Sequence, residues 1–193
     1  MKAIVYTQYG SPDVLHIQEI EKPTPDDNQV LVRVHAVSLN PAEAHMRHGM
    51  LIARVMSGKE FFKPKPTILG SDVAGQVEAV GRNVRKFQPG DAVWGYLAGD
   101  DGKKGGYAEY VCAPLTALAL KPVSMTFDEA AAIPQAGMLA VQGLRDIGNV
   151  RHDLKILING AGGGVGTFGL QLAKLYDTEV TGVDHTDKLE RMR

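Results

Sequence analysis

The sequence predicts a mixed α and β protein: a closed or sandwiched β domain over roughly the first 120 residues, then a β-α-β unit. Three observations carry this. Short alternating apolar runs recur between turn signals from Lys2 to Lys121. Helical signals begin at Ser124. The apolar run Leu154–Ile158 leads into a glycine-rich turn, an apolar-periodic helix and a second strand.

The elements follow in order. Lys2–Tyr6 is a short strand, and Val14–Ile20 alternates, with Leu15 and Ile17 among its apolar positions. After the turn-rich Pro23–Asn28, the run Gln29–Leu39 places Val30, Val32 and Val34 on one face. Residues 42–48 suit one or two helical turns, and 49–67 read as irregular, with Lys63-Pro64-Lys65-Pro66 breaking any regular element. Asp72–Val80 and Ala92–Leu97 are strands, the second preceded by the turn Gln88-Pro89-Gly90-Asp91. Residues 99–106 form a polar loop, and Tyr107–Ala113 and Ala117–Lys121 complete the β-rich part. Thr126 with Glu129 three residues later fits a capping box. Pro134 interrupts that helix, and a second runs from about Gln135 to Ile147, closed by Gly148. Leu154–Ile158 reads as a buried parallel strand. Val165–Tyr176 carries Val165, Phe168, Leu172 and Leu175 at helical spacing, Glu179–Val183 is the second strand, and Thr186 opens a last helical segment.

Composition excludes several function classes. The 193 residues are 44% hydrophobic and 22% charged, with a formal charge of -1, which gives no electrostatic footprint for nucleic acid. No apolar run approaches bilayer length, and Met1–Tyr6 lacks a signal-peptide h-region, so the expectation is a cytoplasmic protein with no membrane partner. The single cysteine, Cys112, rules out an intrachain disulfide and a four-cysteine zinc site. A zinc held only by His and carboxylates stays open on composition, although His16, His35, His48 and His152 show no ligand-like spacing.

The turn reads Gly160-Ala161-Gly162-Gly163-Gly164-Val165-Gly166. Set on the G-x-G-x-x-G fingerprint it gives Ala161, Gly163 and Gly166, with alanine in the first glycine position. The physical requirements are a tight strand-to-helix turn, a bare backbone for a pyrophosphate, and close helix–strand contact. Asp184 ends the second strand 18 residues past Gly166, a distance that suits a ribose-binding carboxylate. Such a carboxylate favours NADH and repels the 2′-phosphate of NADPH, whereas nearby Lys188 argues the other way. The candidate cofactor residues are therefore Ala161, Gly162, Gly163, Gly164, Val165, Gly166, Asp184 and Lys188.

Several ordered segments point further: Ser38-Leu39-Asn40-Pro41, Ile68–Gly75, Val77–Gly81, Pro89–Gly95, Gly105–Tyr110, Ala130–Pro134 and Ile158–Lys174. With them the chain resembles the medium-chain dehydrogenase/reductase superfamily, and within it the zinc-free quinone oxidoreductase (zeta-crystallin-like) branch. The resemblance implies a GroES-like β-barrel domain at 1–122 that holds substrate. It implies the N-terminal part of a Rossmann domain at 123–193, with the active site in the cleft between the two. The implied activity is hydride transfer from NAD(P)H to a quinone or other conjugated carbonyl compound. Zinc-binding relatives carry Cys where this chain has Leu39 and a His-Glu pair where it has Ser71-Asp72, so no metal and no zinc are expected.

Without a Lewis acid, polarisation of a carbonyl falls to hydrogen-bond donors and cofactor positioning. The resemblance places Asn40 near the nicotinamide and substrate, as a donor to a developing enolate oxygen, and His45 where relatives often have a substrate-facing aromatic. These are the candidate catalytic residues, and Ser71, Asp72 and Tyr96 are candidate pocket residues. Trp94 reads as packing. Leu139 stands where relatives often have a Thr near the nicotinamide, and the branch more often uses NADPH, against the lean of Asp184. The expected cofactor is thus NADPH or NADH, and the full-length form is expected to be a homodimer. Only two strands of the Rossmann sheet are present, so the 193-residue chain alone is expected to be inactive or aggregation-prone. Two alternatives remain: a non-catalytic binding module, and a zinc-less alcohol dehydrogenase-like reductase acting on aldehydes or ketones.

Overall fold

The computed structural model describes residues 1–49, 67–97 and 105–192, so the expected irregular run Lys63–Pro66 and most of the loop at 99–106 lie outside the described residues. The chain forms two compact units, Met1–Pro134 and Gln135–Arg193.

The first unit is built from two antiparallel sheets. β1 (Lys2–Tyr6) lies between β2 (His16–Glu19) and β4 (Thr67–Ile68). The larger sheet comprises β3 (Gln29–Val37), β5 (Asp72–Val80), β6 (Ala92–Tyr96), β7 (Tyr110–Pro114) and β8 (Leu118–Leu120), in the order β7-β3-β5-β6-β8. The Ile4 N–H donates to the Tyr107 carbonyl at 2.8 Å, and an Ala3–Ala108 bridge joins the small sheet to the chain entering β7. Val30, Val32, Val73, Val93 and Val111 are fully buried and fill the core with Phe87 and Leu118. Each such valine contributes about 1.5–3 kcal/mol by leaving water. A second cluster of Val5, Tyr6, Ile68, Leu69 and Tyr107 lies under the small sheet.

One expectation is corrected here. The second strand is shorter than Val14–Ile20, and Ile17 is 73% exposed, because β2 is the edge of its sheet and all four of its residues face water. The first compact unit runs to Pro134. It includes α2 (Phe127–Ala131), which packs on the larger sheet. Its Ala130 and Ala131 are buried against Ala74, and its Phe127 ring stacks on His35 with centroids 4.3 Å apart. Alanines permit this close approach, and the capping box sets where the helix starts: Thr126 Oγ1 accepts from the Glu129 N–H at 3.2 Å, and the Glu129 carboxylate accepts from the Thr126 N–H at 2.8 Å.

The second unit begins within α3 (Pro134–Val141), which Pro134 opens after α2 has ended at Ala131, as a proline can at a first helical position. The helix passes into a π-turn over Gln142–Ile147, in which the Gly148 N–H donates to the Gly143 carbonyl five residues back at 2.9 Å. Gly148 has φ -75°, so it does not close the helix by the left-handed geometry expected of it. β9 (Lys155–Asn159) and β10 (Glu179–Val183) are parallel, joined through α4 (Gly164–Leu175), and a 3₁₀ segment spans Thr186–Met192. β9 is not buried on both faces: its residues alternate in burial and Leu157 is 68% exposed, because α4 covers one face of the pair. The buried stripe of α4 is Gly166, Gly169 and Ala173 rather than the larger apolar residues, and Leu175 is 81% exposed. Small residues let the helix axis approach the sheet. A Cβ on Gly169 would already lie 3.3 Å from Ile158 Cδ1. No helix among the described residues is long and apolar enough to cross a membrane.

Candidate functional site

In the first unit the chain leaves β3 at Ser38 and turns into α1 (Pro41–His48) at Asn40, which is extended at φ -111°, ψ 149°. Pro41 presets the first helical φ, and the left-handed Gly49 ends the helix. Asn40 Nδ2 lies 3.0 Å from Ser38 Oγ, 3.1 Å from Asp72 Oδ2 and 3.4 Å from Ser71 Oγ. Ser38 Oγ donates to Asp72 Oδ2 at 2.8 Å. Glu43 accepts from the Asn40 N–H at 2.7 Å through Oε2, and from the Ser71 N–H at 3.0 Å and the Ser71 hydroxyl at 2.6 Å through Oε1. Asp72 and Glu43 are both buried. The Tyr107 hydroxyl donates to the Ser38 carbonyl at 3.2 Å, and its pKa is pushed up to about 12, first by burial and then by the negative charge of Glu43 and Asp72.

The structure therefore brings together three of the five residues expected in this unit: Asn40, Ser71 and Asp72. Tyr96, half-buried, is the register partner of Asp72 on β6. His45 is exposed on α1, on the face opposite the buried Glu43 and Arg47, and does not join the cluster. The donor role expected of Asn40 meets a different arrangement, because its amide nitrogen is turned into the cluster. Glu43, Ser38 and Tyr107 were not anticipated. The spacing Asn40-x-x-Glu43 ahead of a helix resembles a capping box and is the signal that points to Glu43. Trp94 donates from Nε1 to the Leu120 carbonyl at 3.1 Å and packs beside Ala74. Among the described residues, no group of three or more His, Cys, Asp or Glu is placed to hold a metal ion.

In the second unit the glycine-rich turn joins β9 to α4. The N–H groups of Gly160 and Ala161 donate to the Val183 carbonyl at 2.8 and 3.1 Å, which anchors the turn to the end of β10. Gly160 adopts φ +80°, and a Cβ on Gly166 would stand 2.2 Å from the Gly160 carbonyl oxygen. The Thr167 N–H makes the bond to Gly163 that closes the first helical turn, so the N–H groups of Gly164, Val165 and Gly166 precede the helical ladder. Gly164 and Val165 are exposed, and a Cβ on Gly164 would meet nothing nearer than Ala136 Cβ at 3.8 Å. The helix start thus offers bare, positively polarised backbone.

Asp184 closes this site. Its Oδ2 accepts from the Gly162 N–H at 2.9 Å, and its Oδ1 accepts from the His185 N–H at 2.7 Å and faces Lys188 Nζ at 3.1 Å. These contacts, the His185 N–H foremost, hold its carboxyl below the usual carboxylate range. Lys188 folds over Gly162, whose added Cβ would lie 2.8 Å from Lys188 Cβ. Leu139, on α3, is 47% exposed.

The sequence profile of the alcohol dehydrogenase GroES-like domain matches residues 26–123. The chain is 38% identical to the 2-methylene-furan-3-one reductase of Solanum lycopersicum, covering all of this chain and 50% of that protein. It is 34% identical to the mitochondrial NAD(P)H oxidoreductase RTN4IP1 of Bos taurus, covering all of this chain and 51% of the relative. Among solved structures it is similar to the quinone oxidoreductase from Coxiella burnetii, with a TM-score of 0.87, 34% identity, and coverage of 100% of this chain and 59% of that one. The chain spans about half the length of the curated relatives it matches. It belongs to the alcohol dehydrogenase GroES-like domain family and, with it, to the quinone oxidoreductase-like members of the medium-chain dehydrogenase/reductase superfamily.

Proposed function

We propose that this chain is part of a zinc-independent, NAD(P)H-dependent oxidoreductase that transfers hydride to a quinone or another conjugated carbonyl compound. The observation that carries the reading is the bare α4 N-terminus with the anchored Asp184 beside it. A nicotinamide dinucleotide fits these residues: the Gly164 and Val165 N–H groups suit its diphosphate, and the Asp184 carboxylate suits its adenosine ribose hydroxyls. When bound, the dinucleotide supplies a hydride from its reduced ring. Zinc independence rests on the donor set, since Leu39 offers no ligand atom and Ser71 offers a hydroxyl already donated to Glu43. On cofactor choice the reading is NADH with incomplete discrimination. Asp184 disfavours a 2′-phosphate, while Lys188 at 3.1 Å offsets part of its charge. Relatives named for quinone, furanone and NAD(P)H chemistry support the reaction class.

The test is oxidation of NADH and of NADPH, followed by absorbance, with 1,4-benzoquinone as acceptor. It is run on the 193-residue chain and on a polypeptide lengthened to the span of its relatives. Turnover in the lengthened form, with NADH preferred, supports the reading. Absence of both turnover and dinucleotide binding overturns it in favour of a non-catalytic binding module.

A further inference from the structure

We propose that Glu43 is the positioning residue of the first-unit cluster, and that through it Asn40 presents its amide carbonyl, not its amide nitrogen, to a ligand. The ligand group met by Asn40 is then a hydrogen-bond donor, an O–H or an amide N–H. The inference rests on the reading of this cluster as part of the functional site.

The argument is one of donors and acceptors. A carboxylate only accepts, so the Asn40 amide nitrogen must be the atom that faces Asp72 Oδ2 at 3.1 Å. The two hydroxyls beside it are also acceptors toward Asn40. Ser38 gives its hydrogen to Asp72 at 2.8 Å, and Ser71 gives its hydrogen to Glu43 at 2.6 Å. The nitrogen of Asn40 is therefore ringed by three acceptors, and turning the amide over would set its oxygen against all three. Asn40 Oδ1 is left on the other side of the amide, toward the Glu43 N–H of the capping box, and a carbonyl oxygen has a second lone pair for a ligand donor.

Glu43 imposes this arrangement. It is 6% exposed and joins two segments 28 residues apart in sequence, holding the Asn40 backbone N–H with one oxygen and both Ser71 donors with the other. It fixes where the Asn40 backbone stands and which way the Ser71 hydroxyl points. An amide in place of this carboxylate has one acceptor oxygen for three donors, and its own NH₂ must face one of them.

The test reads the Asn40 side-chain amide by ¹⁵N NMR in the 193-residue chain, so it does not depend on turnover. In Glu43→Gln the Asn40 NH₂ signals should move and exchange with water about tenfold faster, as expected for a lost hydrogen bond. Glu43→Asp, which keeps the carboxylate, should restore part of the protection. Ser71→Ala gives a second route if Glu43→Gln does not fold, with a smaller loss of protection at the same signals. Unchanged Asn40 signals in a folded Glu43→Gln or Ser71→Ala protein overturn the positioning role. The ligand arm uses hydroquinone for the O–H source and nicotinamide for the amide N–H source, against 1,4-dimethoxybenzene and 3-acetylpyridine, which lack those donors. Perturbation of Asn40 by either donor and not by its control supports the acceptor assignment and identifies the source. Equal or greater perturbation by the controls overturns it. Failure of the oxidoreductase reading would appear instead as absent turnover with these NMR results intact.

Discussion

Replacing Gly166 by alanine sets a methyl carbon 2.2 Å from the Gly160 carbonyl oxygen and 2.6 Å from Ala161 Cα. Both are backbone atoms of a turn pinned to Val183, so no side chain can swing away and α4 must lift from the turn. Overpacking of this kind costs about 1–3 kcal/mol, and the rigid neighbours place Gly166→Ala at the upper end. For a unit the size of residues 135–193, about 3 kcal/mol corresponds to a fall in melting temperature of roughly 12–24 °C. Gly164→Ala is the matched control, because its nearest neighbour is Ala136 Cβ at 3.8 Å. It should leave stability unchanged or slightly raised, since alanine is the better helix former by about 1 kcal/mol. Gly164 is exposed and carries one of the N–H groups at the helix start, so its added methyl should weaken dinucleotide binding at least tenfold. Urea unfolding followed by circular dichroism, with dinucleotide titration by calorimetry, separates the two effects. A Gly166→Ala protein with the parental urea midpoint would refute the close-approach argument.

Other outcomes follow from the same geometry. Between pH 10 and about 12 an unfolded phenol ionises while Tyr107 stays protonated, so the unfolded state binds fewer protons and stability falls with pH by about 3 kcal/mol. Tyr107→Phe should lack that component, which the difference between the two pH–stability curves measures. At neutral pH it should lose about 1 kcal/mol with the hydrogen bond to Ser38. Thr126→Ala removes the cap of α2 and should cost about 1 kcal/mol by urea denaturation. Asp184→Ser should shift dinucleotide preference toward NADPH and Lys188→Met toward NADH, read as opposite changes in the ratio of the two dissociation constants. The contribution of Asp184 to stability is present above the ordinary carboxylate pKa and is lost as pH falls through its lowered value, so acid unfolding of Asp184→Ser should begin from a less stable plateau.

What was legible in the sequence was local. The turn from Gly160 to Gly166 and the Thr126–Glu129 box declare themselves within a few residues, because their chemistry is backbone chemistry at fixed offsets. The partners of the polar cluster are not local: Glu43 meets Ser71 only because β3 and β5 pair, and that pairing runs along both strands, from Val30 and Val80 to Val37 and Val73. Periodicity also misjudged α4, since a search for large apolar residues passes over Gly166, Gly169 and Ala173, whose smallness is what buries them. Leu157 shows the converse, an apolar position inside a continuous run that nevertheless faces water because α4 covers one side of its sheet.

Helix α1 has eight residues, fewer than the length at which an isolated helix persists in water. It is tied at its first turn by Glu43 to Ser71. At its last turn the buried Arg47 donates to the Gly10 carbonyl, while the Gly10 N–H returns to the Arg47 carbonyl at 3.0 Å. Both ties reach segments distant in the chain, so the helix has no stability of its own to lose piecemeal. Its amide hydrogens should exchange with solvent only when the surrounding sheets open, at the slow rate of the β3 core and not at the fast rate of a surface turn. A short exposed helix would then share the cooperativity of the interior, which keeps the polar groups at its start in one arrangement for as long as the unit stays folded.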